Sequence, residues 1–580
     1  MTLMWQPTPA RVADTLLTRF TRTAERTHGL SLPDYAALHR WSIEHRDQFW
    51  TLLWDFCGVI GTRGATAIER DGAMPGARFF PDSTLNFAEN LLRRRDATEA
   101  LVFRDELGRV SRTSWGELHA RVHRVVEGLR ARGVQPGDRV AAIVPNVPDA
   151  IVCMLAATAL GATWSSCSPD FGTQGILDRF DQIAPTLLFA VDGYYYNGKL
   201  NDIRDKVAEI GAALPSLRET VLIPFVGCGT VPGATMLADF ERAPGDAEIP
   251  YARLPFNHPL YILYSSGTTG KPKCIVHGAG GTLLQHLKEH QLHADVKPGD
   301  RLFYFTTCGW MMWNWLVSGL ASGATLMLYD GSPFHPDGYT LFDYCAAERF
   351  THLGVSAKFI QGIEKFEVRP NERYIFPALR AVLSTGSVLL PEGFDYVYAH
   401  VKQDVCLSSV SGGTDIISCF IGGNPNGAVH RGELQAAGLG MATDVFDADG
   451  QPVRGEKGEL VCTRPFPSMP IGFWGDEGDR KYRAAYFERF PNVWAHGDFA
   501  EITPHGGFII YGRSDATLNP GGVRIGTAEI YRQVEKLPEV VESVAVGQDW
   551  DGDVRVVLFV VLKPGLTLVA ALEARLRQQI

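Results

Sequence analysis

No paired-cysteine motif occurs anywhere in the 580 residues. The ten cysteines, among them Cys57, Cys153, Cys274 and Cys462, are scattered without a CxxC spacing or a regular framework. That pattern excludes a disulfide scaffold, argues against structural zinc, and predicts reduced thiols and a cytoplasmic location. An excess of positive charge is missing too. Lys and Arg number 55 against 65 Asp and Glu, a formal net charge of -10. The chain therefore has no electrostatic ground for binding nucleic acid or an anionic bilayer, and any polyanionic ligand must be captured locally. Long apolar runs are also absent. Met1 to Gly29 is broken by Arg11, Asp14, Arg19 and Arg22 and shows no apolar segment before a small-residue cleavage site, so no export signal is predicted. The longest apolar stretch, Ala150 to Trp164, is shorter than a bilayer span and predicts a buried helix rather than a membrane anchor. Internal repeats and low-complexity tracts are lacking as well.

What is present is the composition of a soluble globular protein, 45% hydrophobic and 21% charged, in a chain too long for one core. Residues 1–90 carry amphipathic helical patterns rich in aromatics (Trp5, Trp41, Trp50, Trp54, Phe56) and predict an N-terminal helical extension packed on a larger body. From Arg139 the pattern changes to strand, helix, strand: Arg139 to Val144, Val147 to Leu160, Thr163 to Ser166. The alternation returns at Leu302 to Thr307, Met311 to Ala321 and Ala324 to Tyr329, and around His352 to Ser356 and Arg380 to Ser384. Such repetition predicts parallel sheets with helices on both faces. After Ala442, short strands and Gly-containing turns predict a β-rich part, about residues 430–514, of a large domain spanning 91–514. The glycine-rich stretch from Gly512 to Gly526 reads as a hinge. Beyond it, residues 515–580 predict a small C-terminal domain whose last helical run reaches Ile580 without a cap or stop signal, as if cut short. The expected class is α/β: a large domain of two doubly wound sheets plus a β-rich subdomain, then a small, mobile α+β domain.

One segment carries the chemistry. Tyr264-Ser265-Ser266-Gly267-Thr268-Thr269-Gly270-Lys271-Pro272-Lys273 follows the apolar strand Leu260 to Leu263. Hydroxyls and glycines at this density let backbone N–H groups close around phosphate oxygens, and Lys273 adds positive charge. It is not a Walker A loop: Ser265 stands where that pattern needs glycine, and Pro272 where it needs Ser or Thr.

This loop resembles the phosphate-binding motif of the adenylate-forming superfamily, which includes acyl-CoA synthetases, peptide-synthetase adenylation domains and luciferases; the resemblance runs over roughly residues 80 to 580. Ser411-Gly412-Gly413-Thr414-Asp415 resembles the family's aromatic-x-x-Thr-Glu segment, which implies that Thr414 holds the α-phosphate of ATP and Asp415, in place of Glu, ligates Mg²⁺. Gly386-Ser387-Val388 resembles the loop beside adenine and the acyl group, although Leu389 and Leu390 replace its usual small and acidic residues. Asp498 matches the aspartate that accepts both ribose hydroxyls, with Arg513 assisting; Arg524 matches an arginine at the phosphates, and Asp515 the pivot of the C-terminal domain.

The resemblance implies two half-reactions: formation of an acyl-adenylate with release of pyrophosphate, then attack by the thiol of coenzyme A after the small domain swings about Asp515. Phe171, Gly172 and Lys199 match weakly the coenzyme A nucleotide site, and Gly522 would line the thiol's route. The family also uses a lysine near a C-terminal Gly-Lys pair. No such stretch precedes Ile580, so adenylation is expected to be impaired in this chain, with thioester formation partly retained. Gly412 stands where acetate-activating members carry a pocket-closing tryptophan, which makes room for a longer acid beside Trp310, Met311, Met312 and Val388. With the Trp5 region, Ala77 to Pro81 and Ser384 to Ser387, the likeness is to the acetoacetate-activating branch, and acetoacetate is the expected acid.

Other readings compete. Another short-chain acid, a nucleotide-binding form without full adenylation, and a luciferase-like monooxygenase share the fold; a peptide-synthetase domain would want a carrier domain downstream. His286, His290 and His293 fall on one helical face and could bind zinc, but without an HExxH pattern a solvated or partly packed face is the expectation. The fate of Trp310 to Trp315 is open between pocket wall and core helix.

Overall fold

The computed structural model describes residues 2–245, 248–265, 272–514, 517–518, 525–550 and 553–579. Its centre is a pair of mainly parallel sheets. The first runs in the order Thr235–Met236, Glu219–Ile223, Leu187–Val191, Arg139–Ile143, Thr163–Cys167, Pro259–Ser265, Lys273–Gly278 and Gly472–Phe473; it is parallel up to Pro259–Ser265, and the last two strands add antiparallel. The second runs Cys406–Ser409, Ala381–Thr385, His352–Ser356, Arg301–Tyr304, Thr325–Asp330, Glu99–Asp105 and Val110–Ser114, antiparallel only at its final pair. Runs such as Leu-Leu-Phe-Ala-Val at 187–191 are buried at every position, as strands covered on both faces must be.

The apolar stretch from Ala150 forms a helix, Pro148–Ala159, with proline in its first turn and every residue but Asp149 buried. It ends because Gly161 adopts a left-handed φ of 82°, which turns the chain into the strand Thr163–Cys167. Four antiparallel strands, Thr443–Phe446, Gly458–Cys462, Trp494–Ile502 and Phe508–Arg513, form the expected β-rich part. It has its own core of Phe466, Phe473, Tyr482, Tyr486 and Trp494.

The N-terminal extension holds helices Leu16–His28, Tyr35–Glu44 and Arg46–Phe56, the first two capped by Thr15 and Asp34. Phe20, Phe49 and Trp50 join the main core. Its first strand, Leu3–Trp5, pairs antiparallel with Val429–His430, and the Trp5 indole donates to Asp404 (2.8 Å). The extension is not helical throughout: between Gly58 and Phe87 the chain forms two-residue strands, because the glycines and prolines there interrupt any longer element.

After the β-rich part come a helix Thr527–Val534, the hairpin Val540–Trp550 with Asp553–Leu562, and a helix Ala570–Gln579. This unit meets the large domain where Lys358 Nζ donates to both carboxylate oxygens of Glu535 (2.7 and 2.9 Å) and Lys365 Nζ to the Val540 carbonyl (2.6 Å).

The histidine face is neither solvated nor partly packed. His286, His290 and His293 are buried between the sheets. His286 meets Ser318 Oγ (2.8 Å) and the Ile417 carbonyl (2.7 Å); His293 meets the Gly423 carbonyl (2.8 Å) and the Leu439 amide (3.2 Å); the His290 ring lies 4.1 Å from that of Trp315. Backbone groups from distant segments supply partners that helical spacing cannot reveal. No helix among the described residues is long and apolar enough to cross a membrane.

Candidate active site

Strands of a parallel sheet expose their carboxyl ends on one side, and the chain must turn there into loops free of ladder hydrogen bonds. In the second sheet Ala381–Thr385 ends in Gly386-Ser387-Val388 and Cys406–Ser409 ends in Val410-Ser411. The turn at Gly386 has φ 87°, a conformation glycine adopts without strain. Against these loops stands the β-rich hairpin, whose register sets Asp498 opposite Arg513. Between them lies a cleft of about 470 Å³. Trp310, Met311, Met312, Gly386, Ser387, Val388, Ser411, Gly412, Gly413, Thr414, Asp498 and Arg513 all line it, together with Tyr264 from the strand that leads into the glycine-rich loop. Segments far apart in sequence thus converge on one cavity.

The polar end is built on Asp498, whose carboxylate lies 3.5 Å from Arg513 Nη1 and 3.6 Å from His496 Nε2. Glu459 braces the neighbouring backbone, accepting from the Gly497 amide (2.8 Å) and Ser514 Oγ (3.0 Å); burial raises its pKa above the usual carboxylate range. The apolar end is the start of the helix Met311–Val317. Met311 and Met312 are buried at the cleft wall, Trp310 is half exposed at its rim, and Trp313 and Trp315 point into the core. The aromatic stripe therefore serves both as wall and as core. A small apolar cavity adjoins through Met312, Val410 and Cys419.

Gly412 lines the cleft, yet the direction its Cβ would take is filled: that atom would sit 2.0 Å from the Ser418 carbonyl oxygen and 2.6 Å from Cys419 Cα. The close approach of Ser411–Gly413 to Ser418–Gly422 requires glycine there. Absence of a side chain at 412 is thus first a backbone requirement.

Asp415 lies behind the Thr414 wall. Its carboxylate accepts from the Tyr486 phenol, which burial and then the adjacent Asp415 hold protonated far above the ordinary range. Tyr486 is stacked on Trp494 (3.8 Å), and Lys273 Nζ stands 5.7 Å above the Tyr486 ring. Lys273 and Asp415 thus both stand beside Tyr486, and neither is among the residues that line the cleft. Burial drives the pKa of His277, next to Thr414 and Asp415, down to about 3, so the imidazole there is neutral.

Phe171 reaches the mouth of the cleft: its ring lies 3.3 Å from a Cβ built on Gly309, a lining residue, and Arg179 sits over both Phe171 (4.9 Å) and Tyr264 (5.7 Å). Gly172 precedes the helix Thr173–Ile183. Lys199 is exposed on the hairpin Gly193–Tyr196 with Lys199–Asp202, away from the cleft lining. Ser265 ends its strand as the last described residue before the loop. Ser266, Gly267, Thr268, Thr269, Asp515, Gly522 and Arg524 lie outside the described residues.

The model for the family described as AMP-binding enzyme matches residues 87–471. The chain belongs to the AMP-binding enzymes. Its whole length is similar, at 56% identity over 582 residues and 89% of the relative, to acetoacetyl-coenzyme A synthetase of Rhizobium meliloti (strain 1021). It is 44% identical over 593 residues, 100% of the chain and 88% of the relative, to acetoacetyl-CoA synthetase of Mus musculus. Among solved structures, acetoacetyl-CoA synthetase from Streptomyces lividans superposes with a TM-score of 0.93 at 44% identity, covering 100% of this chain and 90% of that one.

In this AMP-binding enzyme, several wall residues escaped the sequence reading: Ser409, Val410, Ser418, Cys419, Leu434, Ile510 and Gly512. Ser409 and Val410 carried a signal, since they end a parallel strand where ligand loops begin. Leu434 and Ile510 carried none, because ordinary strand apolars become walls only when the hairpin folds over the sheet.

Proposed function

We propose that this AMP-binding enzyme is an ATP-dependent acid–thiol ligase. It joins acetoacetate to AMP as acetoacetyl-AMP with release of pyrophosphate, then transfers the acyl group to coenzyme A to give acetoacetyl-CoA and AMP. The observation that carries the reading is the continuity of one cleft from Asp498 and Arg513, through Thr414, to Met311, Met312 and Val388. A nucleotide at the polar end and a short acid at the apolar end would share it, and the relatives' names support acetoacetate as the acid. In the first half-reaction a carboxylate oxygen bonds to the α-phosphorus and pyrophosphate leaves. In the second the thiolate sulfur bonds to the carbonyl carbon, AMP leaves, and the thiol proton passes to solvent.

The protein's part is to place these groups and offset charge. Asp498 accepts the two ribose hydroxyls, with Arg513 beside it; Thr414 and Ser411 meet the α-phosphate; Ser265, Ser266, Gly267, Thr268, Thr269 and Lys273 cradle the β- and γ-phosphates, and Arg524 adds charge. Asp415 suits Mg²⁺ because one oxygen is fixed by Tyr486 while the other lies on the Gly413 side, 3.6 Å from a Cβ built there. Bound Mg²⁺ would supply charge neutralisation at the phosphates. Coenzyme A would approach past Phe171, Gly172, Lys199 and Gly522 once the small domain turns about Asp515. Action in the cytoplasm on small molecules, without nucleic acid or membrane, completes the reading.

The test is acid-dependent pyrophosphate release from ATP, with thioester identified by mass, using acetoacetate, acetate, 3-hydroxybutyrate and longer acids. Acetoacetate should give the highest kcat/KM. Preference for acetate would overturn the assigned acid, and nucleotide binding without acid-dependent turnover would overturn the ligase.

A further inference from the structure

Close in sequence to Leu434, a residue of the cleft wall, three potential ligands meet. One ring nitrogen each of His430 and His505 and a carboxylate oxygen of Glu433 lie within 4.8 Å of one another, from three places in the fold: the strand that pairs with the N-terminus, the loop after it, and the turn of the Trp494–Ile502 and Phe508–Arg513 hairpin. We propose that His430, Glu433 and His505 bind one divalent transition-metal ion of the zinc and cobalt class, which clamps that hairpin to the body of the large domain.

The geometry carries the proposal in four respects. The two imidazoles are stacked with centroids 4.0 Å apart and planes 2° from parallel. This brings the ring nitrogens near one another, and because their lone pairs lie in the ring planes, one ring must tilt out of the stack for both to meet a single ion. Second, the third ligand is pre-oriented: Glu433 is 2% exposed, its Oε2 accepts from Thr503 Oγ1 (3.0 Å), and its Oε1 meets His505 Nδ1 (2.9 Å). Hydrogen bonds that fix a ligating carboxylate are what metal centres use to hold their ligands. Gly507 leaves the room, since a Cβ there would stand 2.6 Å from Glu433 Oε2.

Third, the movement required falls on the side chain that is free to make it. Ligand bonds of about 2.0–2.2 Å at a tetrahedral angle separate nitrogen from oxygen by about 3.3–3.5 Å, a few tenths more than the present contact between His505 and Glu433. His505, 40% exposed at the hairpin turn, has freedom to make that adjustment and to tilt out of the stack, whereas His430 is held in register opposite Leu3. Fourth, two imidazoles and one carboxylate are the wrong set for Mg²⁺ or Ca²⁺, which take oxygen, and the right one for zinc, cobalt or nickel. The site is thus separate in chemistry and place from Asp415.

Its consequence follows from the neighbouring backbone. Leu434 exchanges both hydrogen bonds with Phe508 (2.8 and 2.9 Å), and Leu434 and Arg513 both line the cleft. An ion held at 430, 433 and 505 fastens this wall without touching the nucleotide.

The whole protein, stripped with a chelator and returned to Mg²⁺ buffer, is titrated with Co²⁺ while visible absorption is followed, and with Zn²⁺ while thermal unfolding is followed. One saturable equivalent of Co²⁺ with visible bands and a Zn²⁺-dependent rise in Tm are expected. His430→Ala and His505→Gln should each weaken binding by more than the about 10-fold to 100-fold that loss of a ligand's supporting partner costs and abolish the Tm rise, while metal-free His505→Gln unfolds at the metal-free wild-type temperature. Absence of saturable Co²⁺ binding by the wild type would overturn the proposal, as would wild-type affinity in both variants.

Discussion

At the scale of single residues, position 412 separates two meanings of glycine. If Gly412 served only to leave space for the acid, a methyl group there would hinder longer acids selectively and leave stability alone. The strand opposite is too near for that: the methyl would collide with the Ser418 backbone, and relief requires moving one strand. Gly412→Ala is therefore expected to lower stability by about 1–3 kcal/mol, as overpacking does, and to reduce turnover with acetate and acetoacetate alike. Denaturant unfolding and the two kcat/KM values measure this; a variant of full stability that discriminates between the acids would contradict it. The partners of the other site residues were legible to different degrees. Asp498 and Arg513 are matched through the family resemblance, and the structure sets them opposite each other across one hairpin. The Tyr486 phenol that fixes Asp415 could not be matched in advance, since nothing in the pattern of the short helix Arg480–Tyr486 points to a carboxylate elsewhere in the chain.

Among the elements, parallel strands were the easiest to read, because burial on both faces makes them short apolar runs between glycine turns. Arg139–Ile143, Thr163–Cys167 and His352–Ser356 fall within a residue or two of their predicted limits. The buried histidine face was harder: a helix enclosed on all sides but carrying polar groups looks amphipathic until its distant partners are in place. The C-terminal unit poses an element-scale question, which is what holds the pose seen here. Lys358 with Glu535, and Lys365 with the Val540 carbonyl, are its described polar ties to the helix Ala357–Lys365. Lys358→Glu reverses one of them. Pairs of this exposure are worth about 0.2–1 kcal/mol, so the two half-reactions should shift by a few-fold and by unequal factors, measured as isotope exchange between pyrophosphate and ATP and as thioester formation from preformed adenylate. Identical change in both would show that these contacts do not bias the pose.

For the whole molecule, buried neutral histidines weaken the fold in acid. Burial lowers the pKa of His277 and His293 to about 3 and of His119 and His352 to about 4, against an ordinary 6.5. The unfolded chain thus binds more protons than the native one below pH 6.5. Stability from these groups is fully present above that pH and is lost as the pH falls toward 4 and 3, each group contributing up to about 1.4 kcal/mol per pH unit. Tm should accordingly drop steeply between pH 6.5 and 4 and change little from pH 7 to 8. A flat profile down to pH 5 would show that these rings are reached by protons without unfolding.

The cleft has walls drawn from Tyr264, Gly386, Thr414 and finally Arg513. A polypeptide still emerging from the ribosome cannot assemble such a cavity until its β-rich hairpin has been synthesised. Nucleotide in the surrounding medium therefore cannot guide the early sheets into shape, and they must find their pairings unaided before any ligand rewards them.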